Sequence, residues 1–301
     1  MLLTIKNLGK LFKITFKEWN QRDPFRQSAI IAYYAIFSMP GLLVLVIGIT
    51  GYFFGKDAVN EHILAQISGT LGTTTADQIK DILVKAGQSK TTLFGSVIGI
   101  FILLMGATGV FVELQKSLNS IWQVKAVPGK GILLFLKVRL FSFGLILAIA
   151  FLLLISLVFS TALTVIGDYL RADVSGAIAI AFNILNFIIS LAIISILFAL
   201  MFKVLPDAKI KWRQVWLGAI IAGTLFTLGK TALAFYFGKA EPASVYGAAG
   251  SIVLILLWVS YSSMIMFFGA EFTAAYAKMY SGEVAPTEIA KKEVSVKEKQ
   301  K

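Results

Sequence analysis

"FTLGKTALAFYFG" (226–238) is apolar enough to lie in hydrocarbon, yet it carries Lys230. A charge at the centre of a membrane helix costs about 2.5 to 3.5 kcal/mol on insertion scales, so the reading of this stretch decides the fold. Composition places it in a bilayer. Of 301 residues, 57% are apolar and 15% are charged, and the mean hydropathy is +0.82, far from the balance of a soluble domain. There is no Cys and a single His. Disulfides and thiol nucleophiles are thereby excluded and zinc clusters starved of ligands, so no metal site and no cofactor is expected.

Working outward, the chain contains six apolar stretches, 28–55, 91–112, 140–167, 175–202, 214–237 and 250–277. Each reaches the length of about 20 residues that a helix needs to cross hydrocarbon. Pro40 predicts a kink in the first. Basic residues alternate across the connections. The segments before span one, after span two, after span four and after span six hold 6, 5, 4 and 6 of them, against 4, 1 and 1 in the other three loops. The positive-inside rule then puts both termini in the cytoplasm. Trp19, Trp122, Trp212 and Trp216 fall near that boundary, where an interfacial aromatic belt is expected. On this reading the net charge of +12 sets topology and meets anionic headgroups; it does not call for nucleic acid.

The fold expected is an all-α membrane protein: a cytoplasmic amphipathic segment over 1–27, a six-span domain over 28–280 and a disordered cytoplasmic tail over 281–301. In "TIKNLGKLFKITFKEW" Lys6, Lys10, Lys13 and Lys17 share one helical face, and Ile5, Leu8, Phe12, Phe16 and Trp19 another, as in a helix lying in the membrane plane. The outer loop 56–90 carries helical spacing on both sides of "GTLGTTT", which predicts two short amphipathic helices. The tail alternates Glu and Lys around Pro286 and lacks apolar periodicity.

The blocks "AYYAIFSMPGLL" (32–43), "GATGVFVELQKSLNSIW" (106–122), "PDAKIKWR" (206–213) and "YGAAGSIVLILLWVSYSSMIMFFGAEF" (246–272) resemble, in order and spacing, the YihY/BrkB family of bacterial inner-membrane proteins. The resemblance implies a six-span protein of the cytoplasmic membrane, of a family called virulence factor or, historically, ribonuclease BN. The residues argue against a ribonuclease. His62 lies in the outer loop, and the cytoplasmic segments offer no cluster of carboxylates or His for acid–base or metal-assisted hydrolysis. No enzyme activity is expected.

Polar groups inside the spans are the remaining candidates, because intramembrane ionisable residues generally face a bundle interior or a cavity. Lys230 either snorkels to the outer interface or anchors an anionic group, with Thr227 and Thr231 nearby. At about 1.5 Å per residue, it lies some 24 Å above the inner end of its span, against about 10 Å for Glu271 above Lys278, so the two should not pair. Glu113, Glu271 and Arg139 fall at similar depth and read as bundle-stabilising ion pairs or as an inner gate. Asn183 and Asn186 on span four, and Tyr34 and Ser38 before Pro40, read as interhelical hydrogen-bonding groups or as a substrate path. Tyr246 belongs to the small-residue block "VYGAAGS", which allows close helix contact or irregular backbone. The function expected is transporter-like, or the handling of a lipid or envelope component, with an anionic lipid or solute as substrate. The alternative is a non-transporting scaffold for envelope assembly. Oligomeric state is not specified by these features.

Overall fold

A computed structural model describes residues 5–38, 64, 65, 68, 76, 77, 80, 93–127, 176–240, 250–282 and 284–292. Among these, α1 is Ile5–Gln21, α2 covers 24–38, α3 is Leu93–Ile121, α4 is Gly176–Val204, α5 is Trp212–Ala240 and α6 is Gly250–Tyr280. Two short strands, β1 (Val124–Ala126) and β2 (Ala290–Lys292), pair antiparallel. Three stretches among the described residues are long and apolar enough to cross a membrane: Ile184–Val204, Trp212–Leu233 and Ile252–Tyr280. The expected third span, 140–167, and nearly all of the outer loop lie outside the described residues.

Two compact units divide the chain. One comprises Met1–Gln21, Gln115–Leu225 and Met266–Lys301, the other Arg22–Leu114 and Phe226–Ile265. In the first, α1 docks on α6: Leu11, Phe272 and Ala275 form a buried cluster joined by Leu217 and Ile221 of α5. Phe12 stacks edge-on to Phe272 at 5.0 Å, and Trp19 meets Phe268 at 5.9 Å. The lysines at 10, 13 and 17 are exposed as the periodicity predicts, but the buried line runs through Leu11 and Thr15, leaving Phe16 59% exposed. An amphipathic helix can serve two apolar surfaces when its hydrophobic arc is wide, and this one presents Phe12 and Phe16 beside the face that α6 covers. Trp122 is buried within the protein.

Small residues set the helix crossings. A Cβ on Gly218 would strike the Thr273 hydroxyl and come within 2.5 Å of the Gly269 carbonyl, so α5 and α6 approach backbone to backbone. Thr273 returns its hydroxyl to the Gly269 carbonyl at 2.9 Å, so no polar group is stranded at the crossing. Gly223 of α5 likewise meets Ser195 of α4, where an added Cβ would lie 2.6 Å from the hydroxyl oxygen.

In the second unit, Asp23 caps α2, with its carboxylate accepting from the Arg26 backbone N at 3.4 Å and from its Nε at 3.0 Å. Pro24 occupies the first helical position, where its missing N–H is harmless.

The tail departs from expectation. Residues 284–292 are ordered: β2 pairs with β1 in the register Val124↔Lys292, Lys125↔Lys291 and Ala126↔Ala290, and Pro286 bridges Ala208. A polar segment with no core of its own can still be ordered when an existing structure offers its backbone hydrogen-bond partners. The expectation of disorder from 281 onward is therefore corrected over this stretch.

Candidate functional site

The segment 205–211 joins α4 to α5, and Leu205, Pro206, Asp207, Ala208 and Ile210 within it are buried. Buried loop backbone must find partners. Asn119 of α3 supplies two of them: its Nδ2 donates to Asp207 Oδ2 at 2.7 Å, and its Oδ1 accepts from the Asp207 backbone N at 2.7 Å. One turn earlier, Gln115 Nε2 donates to the other carboxylate oxygen at 3.2 Å. Thr287 donates both its backbone N, at 3.0 Å, and its hydroxyl, at 3.2 Å, to the Asp207 carbonyl. Lys209 N donates to Ala285 O at 2.8 Å, and Lys203 Nζ donates to the Ile210 carbonyl.

α5 then starts on a half capping box. The Gln214 side chain accepts from Lys211 N at 2.7 Å while Gln214 N donates to the Lys211 carbonyl at 2.9 Å. Asp207 thus locks α3, the α4–α5 connection and the tail together. Burial raises its carboxyl above the ordinary 3.8, against the lowering effect of the Asn119 and Gln115 hydrogen bonds.

Glu271 is the other buried acid among the described residues, 1% exposed within α6. In the same compact unit the hydroxyls of Thr15, Ser117 and Ser195 are buried without a hydrogen-bond partner among the described residues. Tyr34 and Ser38 of α2 fit a notch in α3: a Cβ on Gly109 would collide with the Tyr34 ring, and one on Gly106 would lie 2.9 Å from Ser38 N. Ser38 gives its hydroxyl to the Ala35 carbonyl at 3.1 Å. Lys230 is exposed, as are Leu228, Thr231 and Phe235 around it. Its helix packs Gly229 against Tyr261. Glu113 on α3 is half-buried, and so is Asn186 on α4, whose Oδ1 has no partner among the described residues. Asn183 lies in α4, and only its backbone is described; Arg139 and Tyr246 are outside the described residues.

The Asp207 lock is the feature that residue-by-residue reading passes over. One signal was present: Asp207 is the lone acid in a connection that also holds Lys203, Lys209, Lys211 and Arg213. Nothing local marks Asn119, Gln115 or Thr287 as its partners, because they lie 80 or more positions away.

Apolar helices of spanning length, crossing on glycines and tied by a buried polar lock, define a polytopic α-helical membrane protein. The family model described as "Virulence factor BrkB" matches residues 15–293, and the chain belongs to that family. Relatives include UPF0761 membrane proteins of Saccharophagus degradans, 26% identical over 90% of this chain and 60% of the relative, and of Pseudoalteromonas atlantica, 27% identical over 88% and 85%. A third, from Mannheimia succiniciproducens, is 25% identical over 96% of this chain and 98% of its own length. The chain thus spans three-fifths of the first relative and nearly all of the third. No solved structure matches.

Proposed function

We propose that this is a six-span protein of the bacterial inner membrane, with both termini in the cytoplasm, that moves or hands on a lipid or anionic solute. The basic-residue alternation along the sequence supports the orientation. One observation carries the transport reading: Glu271, 1% exposed within the apolar helix α6. A bundle selected only for packing would fill that position with an apolar side chain of similar volume, because a buried ion rarely improves stability over one. Buried hydroxyls at Thr15, Ser117 and Ser195, without partners among the described residues, add groups that a passing polar ligand could use. Lys230, on an exposed stretch of α5, has the placement of a snorkelling lysine and receives no substrate role.

The second reading, a scaffold for envelope assembly, is favoured by the close glycine crossings at Gly218 and Gly269. Reconstitution into liposomes with a panel of anionic lipids and solutes separates the two. The transport reading expects movement of at least one panel member above protein-free liposomes, and a loss of about tenfold in rate for Glu271→Gln that still elutes as a monodisperse particle. No movement of any member, or an unchanged rate in the variant, favours the scaffold.

A further inference from the structure

Loops are generally the mobile parts of a fold, but the connection between α4 and α5 is fixed along its backbone. Asn119 holds the Asp207 N–H, Lys209 N donates to Ala285 O, Lys203 Nζ donates to the Ile210 carbonyl, and the Gln214 side chain accepts from Lys211 N. The side chains that this backbone carries divide by charge. Ile210 is buried, while Lys209, Lys211 and Arg213 around it are exposed. Among the described residues, none of these three makes a side-chain hydrogen bond or an ion pair. Asp207, the one acid between Lys203 and Trp216, is buried with its carboxylate taken by Asn119 and Gln115. Three cations are thus held on a fixed backbone with no acid in the same segment left to neutralise them.

The helix that follows continues the surface. Trp212, Trp216 and Ile220, one turn apart on α5, are 46%, 41% and 46% exposed. Residues four apart share a helix face, so the three form one stripe. It runs beside Leu217 and Ile221, which pack against the cluster of α1 and α6. The stripe also opens Trp212–Leu233, the stretch of α5 long and apolar enough to cross a membrane.

We infer that this surface is a discrete site for an anionic phospholipid, with the head group on Lys209, Lys211 and Arg213 and an acyl chain along Trp212, Trp216 and Ile220. Charge complementarity favours an anionic head over a zwitterionic one. Arg213 adds a planar fork suited to phosphate oxygens. A soluble phosphate or a nucleic acid would use the cations and leave the apolar stripe uncovered. A neutral lipid would cover the stripe and leave the cations unmatched. The fixed backbone lowers the ordering cost of binding, which separates a site from the diffuse attraction of any basic surface. The inference rests on α5 crossing a membrane and not on whether the bundle moves anything.

The test uses the full-length protein in liposomes, with tryptophan emission quenched by lipids brominated on the acyl chain. Brominated phosphatidylglycerol is compared with brominated phosphatidylcholine. The part of the emission removed by combining Trp212→Phe with Trp216→Phe reports this surface. Phosphatidylglycerol should be preferred there by about fivefold or more, the factor that one basic residue contributes at an anionic surface. Lys209→Gln, Lys211→Gln and Arg213→Gln combined should bring the two lipids to near parity. Lys10→Gln, Lys13→Gln and Lys17→Gln combined remove the same charge from α1 and should leave the preference in place. All six side chains are exposed, and an unchanged melting temperature verifies that each variant folds. If the triple variant of the connection melts early, Lys211→Gln and Arg213→Gln taken singly should each lower the preference by about twofold or more. The inference is overturned if the two lipids quench equally in the natural chain, or if the preference survives loss of the cations of the connection. It is equally overturned if the α1 variant loses as much of the preference, since that outcome means diffuse charge alone.

Discussion

At the scale of single residues, Asp207 concentrates the chemistry of the fold. Its carboxylate and both of its backbone polar groups are used, and Asn119 alone satisfies two of them. Asn119→Ala strands a buried N–H and weakens the hold on the carboxylate, so a loss of about 1 to 3 kcal/mol is expected. Asp207→Asn sets an amide donor against the donors of Asn119 or Gln115 and should be comparably damaging. Since the two residues share one network, thermal unfolding of the double variant should be less damaged than the sum of the singles, and strict additivity would contradict the lock.

The pH dependence has a definite sign. Burial raises the Asp207 carboxyl above 3.8 in the fold, so within that window the folded chain binds more protons than the unfolded one. Stability contributed here is present at the acid end and falls as pH rises from 3.8 through the raised value. Melting temperatures taken across the mildly acid range should show that fall in the wild type, and Asp207→Asn should flatten it.

At the scale of elements, periodicity reveals a helix more readily than its partners. The lysine face of α1 is legible in "TIKNLGKLFKITFKEW" because a 3.6-residue repeat is local. Its docking on Phe272 and Ala275 of α6 is not, since that contact spans most of the chain. The tail shows the same limit more sharply. Its Glu/Lys alternation reads as solvated coil, yet Val127 N donates to the Ile289 carbonyl at 2.9 Å and β2 pairs with β1.

The register of that pairing sets Lys125 directly opposite Lys291, and both are exposed. Like charges in facing positions oppose the ladder. Lys125→Glu should turn the repulsion into attraction and gain about 0.2 to 1 kcal/mol. The gain should shrink at high salt because the pair is exposed to screening. A loss of stability in Lys125→Glu at low salt would contradict the register.

At the scale of the whole molecule, apolar runs of spanning length are the most legible feature of the sequence. The described helices α4, α5 and α6 each contain a stretch able to cross hydrocarbon. Why those runs pack as they do is legible only afterwards, in the meeting of Gly106 and Gly109 with Tyr34 and Ser38, and of Gly218 with Gly269. The buried acids were partly visible. Glu271 stands out in an apolar run, whereas Asp207 hides in a polar connection and acquires its character only from distant partners.

The central claim is that these helices span a membrane with the β1–β2 ribbon on the cytoplasmic side. The natural chain has no Cys, so Lys291→Cys provides a single reporter on the exposed face of that ribbon. A membrane-impermeant maleimide should label it in inverted membrane vesicles and leave it unlabelled in intact spheroplasts. Labelling in the intact spheroplasts would contradict the account.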